Sequence, residues 1–246
     1  DKGYFHGCRT YPILTSTQDI KKFFIIAADC AKMFYCVEPI DKIKNKGVYN
    51  YIKDGEKKKI HQIVSVKNHR PFWYSIHPND LDVILLQFFD QRFWTLLCKD
   101  NIACSNNFYY GKLTIDINIG ITLLNSIFYF LQVEMFGRVN MAEGVLTIYG
   151  EDFRFILLPK PEVLNKQMCE NVLTTLFTRE IQSIFTELGF DPNKPIREQE
   201  PNPLPDRKAL DDIVFDALGL SEEERKEVYW AVAELVKNRL EKARGV

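Results

Sequence analysis

The sequence has no CxxC pair and no cysteine–histidine spacing of the kind that builds a zinc site; its six cysteines (Cys8, Cys30, Cys36, Cys98, Cys104, Cys169) and four histidines are scattered. That pattern argues against a structural metal. Cysteines inside apolar runs such as TLLCKD and MFYCVE behave as small hydrophobes, which suits a reducing cytoplasm. Long hydrophobic runs are also missing. The stretches LDVILLQFF and ITLLNSIFYFL fall short of the ~20 residues a bilayer span requires, so no membrane segment is expected. No secretory leader is recognisable, and the chain opens on Asp1 rather than methionine, as expected of a cytoplasmic protein's internal portion. There is no G-x-x-x-x-G-K-[ST] loop for nucleotide phosphates, no G-x-S-x-G elbow and no H-E-x-x-H helix. The histidines His6, His61, His69 and His77 have no serine or cysteine partner in a telling context.

What is present is a large apolar and aromatic fraction, 46% and 13%, enough for a real core in 246 residues. The formal net charge of −1 conceals a polarised distribution. Residues 1–75 hold 14 Lys and Arg against 7 Asp and Glu, a balance of +7, whereas residues 196–246 hold 9 against 12, a balance of −3. A basic first third and an acidic tail fit one face turned toward a polyanion and another turned away, or a surface kept soluble by lysine.

Along the chain, the runs Lys21–Ala28, Met33–Ile40 and Lys59–Val66 are rich in β-branched and aromatic residues and predict short strands, with Arg92–Asn101 a further one. The stretch Lys53–Lys59 is turn-like. Apolar residues recur at helical spacing from Ile119 to Met135, with Gly137 as a stop, and again from Asn165 to Leu188, closed by Gly189. Residues Glu143–Pro161 look like a strand, a turn and another strand. Five prolines between Pro192 and Pro205 forbid regular helix and mark a strap. Beyond it Asp206 caps a helix ending at Gly219, and Ser221 with Glu224 forms a capping box for a helix reaching about Arg244. The expected fold class is α+β: a mixed, mainly antiparallel, β-rich domain with inserted helices over residues 1–190, a strap over 191–205, and a C-terminal helical pair over 206–246 that packs back on it.

Four stretches carry a family resemblance. YIKDGEKKKIHQIVSVKNHRPFWYSI (Tyr51–Ile76), CSNNFYYGKL (Cys104–Leu113), the block from Leu123 to Pro161 containing LLNS, GRVN and LPKP, and Asp206–Gly245 together resemble, in order, the region that follows the catalytic domain in adenine-specific DNA methyltransferases of type II and type IIG restriction–modification systems. One departure is Ala142, where that family has glycine before Glu143-Gly144. The resemblance implies a prokaryotic target-recognition module that docks on double-stranded DNA and presents one adenine to a methyltransferase domain. That domain, with its S-adenosylmethionine, would lie N-terminal in a longer polypeptide. The chain itself lacks both the Gly-rich donor turn and the Asn/Asp-Pro-Pro-aromatic loop; HPND (His77–Asp80) wants the second proline and the aromatic. No cofactor is therefore expected in it. Two other functions stay open: a nuclease of the same system with its own metal-dependent activity, for which Glu56-Lys57-Lys58 is a loose pattern, and an interaction scaffold that does not touch DNA.

The candidate contacts follow from residue chemistry. Lys57, Lys58 and Lys59 are consecutive cations able to reach phosphates, or a solvated charge run. Lys67, Asn68 and Arg70 place donors and an amide of the kind base edges accept. Phe72, Trp73 and Tyr74 fit a core better than a stacking platform. Asn107 and Tyr109, with Asn106, either contact DNA or close a turn. Arg138 and Asn140 follow the stop at Gly137, where backbone can approach a ligand, or Arg138 holds structure. Asn125 and Ser126 lie on an apolar helix and fit satisfied buried polar groups.

Overall fold

The structure, a computed structural model, describes residues 10–18, 20–43, 46–78, 80–139 and 144–245. Among these the strands are β1 (Thr10–Leu14), β2 (Phe24–Ile25), β3 (Ala31–Phe34), β4 (Val83–Leu86), β5 (Phe88–Phe89), β6 (Thr95–Cys98), β7 (Ala103–Cys104), β8 (Phe108–Gly111), β9 (Arg138–Val139) and β10 (Leu146–Thr147). The α-helices are α1 (Lys46–Lys57), α2 (Val64–Lys67), α3 (Ile117–Leu124), α4 (Ile127–Phe136), α5 (Lys166–Leu176), α6 (Ile184–Leu188), α7 (Pro205–Leu218) and α8 (Glu222–Arg244). The fold is α+β, and most strand pairings are antiparallel. Packing divides the chain into two compact units, one of residues 1–15, 26–80 and 100–105, the other of 16–25, 81–99 and 106–246.

In the first unit β1 pairs antiparallel with β3 (Thr10 opposite Phe34) and parallel with β7 (Ile13 opposite Ala103). Where the sequence predicts a turn over Lys53–Lys59 and a strand over Lys59–Val66, the chain is helical: α1 runs to Lys57, a 3-10 turn covers Ile60–Gln62, and α2 follows. The reason is a three-to-four-residue spacing. Val48, Ile52 and Gly55 are buried together on α1, and Val48 and Ile52 pack with Phe34 and Tyr74 in the unit's core. Gly55 is tolerated inside this helix because a Cβ there would stand 2.6 Å from Cη2 of Trp73. Of the predicted strand's apolar residues Ile60 and Val66 are half-buried, while Ile63 and Val64 remain exposed.

The second unit is built on a four-stranded sheet in the order β2-β6-β4-β8, with Ile84 of β4 opposite Leu96 on one side and Tyr110 on the other. A smaller antiparallel sheet, β5-β10-β9, joins residues 88–89 and 138–139 to the two sides of 146–147. The single helix predicted over Ile119–Met135 is two, α3 and α4, bent by 53°. Asn125 breaks it by making sheet-like bonds: its Nδ2 donates to Thr95 O at 3.0 Å and its Oδ1 accepts from Thr95 N at 2.9 Å. Ser126 then caps α4, its Oγ accepting from Tyr129 N at 3.2 Å. These are the satisfied buried polar groups expected at those positions.

The predicted helix Asn165–Leu188 is likewise interrupted, between α5 and α6, and Phe153–Pro159 is a 3-10 turn and extended chain instead of a strand. Gly189 ends α6 in the left-handed region, φ 74°. The proline-rich strap is fastened by Asn202 N donating to Leu188 O and Leu204 N to Glu187 O. In α7 Pro205 occupies the first turn and Leu204 the cap position, so the expected cap Asp206 sits inside the helix and accepts from Arg179. The Ser221–Glu224 capping box forms as expected. No single helix among the described residues is long and apolar enough to cross a membrane.

Two buried arginines fix the tail helices to the rest of their unit. Arg207 of α7, 1% exposed, donates to Asn125 O and to Glu187 Oε2 at 3.2 Å, with Asp211 alongside. Arg239 of α8 pairs with Glu134 of α4 at 2.6 Å and donates to Gly144 O and Asp90 O. Burial, opposed by Arg207, pushes the Asp211 carboxyl up to about 7. Burial also pulls on Glu187, but Arg207 and Arg179 hold its carboxyl below the ordinary value.

Candidate nucleic-acid interface

The predicted contact residues fall into two sets, one in each unit. In the first unit, Lys57 is the last residue of α1 and Lys67 the last of α2, so both cations stand where a helix C-terminus favours positive charge. Lys57, Lys58, Lys59, Lys67, Asn68 and Arg70 are all exposed. Their commitments differ. Lys58 pairs with Asp54 one turn earlier at 2.6 Å, while Lys57, Lys59 and Lys67 make no ion pair among the described residues. Arg70 is partly engaged with its own backbone, Nη1 donating to His69 O at 3.0 Å. His69 Nδ1 lies 3.1 Å from Trp73 O and His77 Nε2 3.0 Å from Arg70 O, which holds the 69–77 turn.

Lys59 has φ 58° and ψ 22°, the left-handed conformation glycine usually supplies just after a helix. A side chain there costs the chain about 1 kcal/mol or more. The aromatic triplet behaves as core. Tyr74 is buried, its hydroxyl donating to Glu38 O at 2.6 Å, and burial pushes its phenol up to about 12. Phe72 stacks on it with ring centres 5.2 Å apart, and Trp73 meets it edge-on at 5.6 Å.

In the second unit Asn107 is exposed in the turn between β7 and β8. Tyr109 and Arg138 are brought together on the 148–153 turn. The Tyr109 hydroxyl donates to Ile148 O at 3.2 Å and its ring meets Phe153 edge-on at 5.2 Å; burial raises its phenol above the ordinary value. Arg138 donates from Nη2 to Asp152 Oδ1 at 2.9 Å and lies 5.0 Å from the Tyr149 ring centre. Asp152 in turn accepts from Tyr149 N at 2.9 Å. Tyr109 and Arg138 thus brace one turn, with Arg138 still exposed. Asn140 lies outside the described residues. No group of three or more His, Cys, Asp or Glu among the described residues is placed to hold a metal ion.

Sequence patterning missed the two anchoring arginines. The Arg207-x-x-x-Asp211 spacing on one helix face was the available signal.

An α+β chain of short sheets with a helical C-terminal region has a counterpart among solved structures in part of a restriction enzyme. The likeness is to the type IIG restriction endonuclease BpuSI, with a TM-score of 0.59 and 13% identity over 95% of this chain. At that identity the likeness is one of fold, and the chain spans 27% of the length of BpuSI. No protein-family model and no curated protein matches the sequence.

Proposed function

We propose that this chain is the target-recognition portion of a site-specific adenine DNA methyltransferase of a restriction–modification system. In this account it docks on double-stranded DNA and positions it for an N-terminal methyltransferase domain that binds S-adenosylmethionine. The observation that carries the proposal is the fold likeness of nearly the whole chain to just over a quarter of a type IIG restriction endonuclease. The four family-like stretches and the exposed cations between Lys57 and Arg70 support it independently. Lys57, Lys59 and Lys67 would neutralise phosphates, which sets register without reading sequence. Arg70 and Asn68 are the side chains of that segment whose geometry suits base edges. In the second unit Asn107 and the braced Arg138 would add contacts, with Tyr109 holding the turn that presents Arg138.

The test is selection of the chain on a pool of random duplexes, followed by titration of the enriched sequence at 50–200 mM salt. The proposal expects enrichment of one short site and an affinity that falls steeply with salt, by about 0.9 in log K per neutralised phosphate and decade of salt. Absence of enrichment with salt-independent binding, or no binding at low salt, would overturn it. Parallel assays for methyl-donor binding and metal-dependent cleavage separate the nuclease alternative; the proposal expects neither from this chain alone.

A further inference from the structure

The first unit contains a cleft of about 380 Å³ lined by none of the residues proposed above as duplex contacts. Its volume lies within the roughly 300–1,000 Å³ of small-ligand pockets. Buried Phe34 and Tyr74 line it together with half-buried Trp73, while Lys32, Tyr51 and Ile76 stand exposed at its edge. The Tyr74 hydroxyl is already spent on Glu38 O, so that lining residue contributes an aromatic ring with no free hydroxyl donor. The edge carries Lys32 and Lys58 against Asp54, an excess of one positive charge, and Lys57 and Lys59 adjoin Lys58 in the chain. Aromatic walls under a cationic edge are complementary to a flat ring with an anionic tail.

We infer that this cleft takes an unpaired nucleobase of a DNA strand, stacked on Trp73 and its neighbours, with the flanking phosphates on the lysines of the edge. The inference rests on the proposed DNA-binding role and extends it to a second kind of contact. Stacking of this kind is tolerant of base identity, because every base has a π-face. The cleft therefore adds affinity for distorted or opened DNA and leaves sequence choice to other residues.

The experiment compares two DNA hairpins of identical stem sequence, one fully paired and one carrying a single bulged 2-aminopurine, titrated with the full chain by fluorescence anisotropy. The bulged hairpin is expected to bind about tenfold more tightly or better, with quenched 2-aminopurine emission, in line with a base–aromatic stack. Ile76→Trp, which fills the cleft from its exposed edge, should abolish that preference while leaving affinity for the paired hairpin within about twofold and the melting temperature unchanged. Met33→Trp, from another lining residue, should do the same if Ile76→Trp fails to fold. Paired DNA bound without preference, or a preference that survives both substitutions, overturns the cleft and leaves duplex recognition standing. Bulged DNA bound through the cleft with no affinity for the paired hairpin supports the cleft and overturns duplex recognition. Failure to bind either hairpin overturns both.

Discussion

Residues 57–70 hold five Lys and Arg and residues 205–244 hold eight, and the cations that matter most in each live in opposite conditions. In the first segment Lys57, Lys59 and Lys67 are exposed and unpaired among the described residues. In the tail Arg207 and Arg239 are buried, each donating to a carboxylate and to at least one backbone carbonyl. A solvated lysine without a partner gains little for the fold and is available to a polyanion. A buried arginine is committed, because removing it strands a carboxylate out of water. Burial and pairing, rather than the sign of charge, separate the residues left available to a ligand from those that hold the fold.

The largest effect expected from this contrast is at the buried end. Arg207→Ala or Arg239→Ala should cost about 3–5 kcal/mol by chemical denaturation, since each leaves a buried carboxylate unpaired. A loss below about 1 kcal/mol would mean that the tail is not anchored as described. Asp211 gives a pH signature of the same network. Burial pushes its folded-state carboxyl up to about 7 from an ordinary 3.8, so the native state binds the extra proton between those values. The corresponding stability is fully present below about pH 4 and is lost as pH rises toward 7. Asp211→Asn should flatten the stability profile across that window; an unchanged slope would assign the pH dependence elsewhere.

Lys59 sharpens the comparison because it is strained as well as exposed. Lys59→Gly should stabilise the chain by about 1 kcal/mol, by relieving the left-handed backbone, and at the same time weaken DNA binding. Stabilisation with unchanged binding would make Lys59 a bystander. The subtlest effect concerns readout. Arg70→Ala should relax discrimination at one base pair by about 1–3 kcal/mol if its guanidinium grips guanine, measured as the ratio of affinities for the selected site and its single-base variants. Equal weakening on every site would make Arg70 a phosphate contact, and loss of folding would make it part of the 69–77 turn.

Much of the fold was legible in the sequence, for local reasons. The Ser221–Glu224 box, the left-handed stops at Gly189 and Gly219, and strand β6 within Arg92–Asn101 follow from capping and hydrophobic pattern alone. The errors arose where a distant residue overrides local preference. Gly55 reads as a turn until Trp73 is seen to occupy the space its Cβ would need. Asn125 reads as a guest on a continuous helix until its amide is seen bonded to Thr95, 30 residues away. The candidate contacts were legible as chemistry but not as availability: sequence places Lys58 beside Lys57 and Lys59, and only the structure shows Asp54 holding it. Arg207 offered only its spacing to Asp211, and Arg239 nothing comparable, since their partners Glu187 and Glu134 lie on other helices.

The most direct test of the account is the salt dependence of duplex binding by the wild-type chain and by the Lys57→Ala, Lys59→Ala, Lys67→Ala triple variant. If these three cations each neutralise a phosphate, the slope of log K against log salt should become shallower by roughly 2.7 in the variant, at about 0.9 per contact. Its stability should stay within about 0.5 kcal/mol of the wild type, because alanine at position 59 keeps the left-handed backbone's cost. A variant with reduced stability and an unchanged slope would contradict the account, placing these lysines among the residues that hold the fold and the DNA contact, if any, somewhere else.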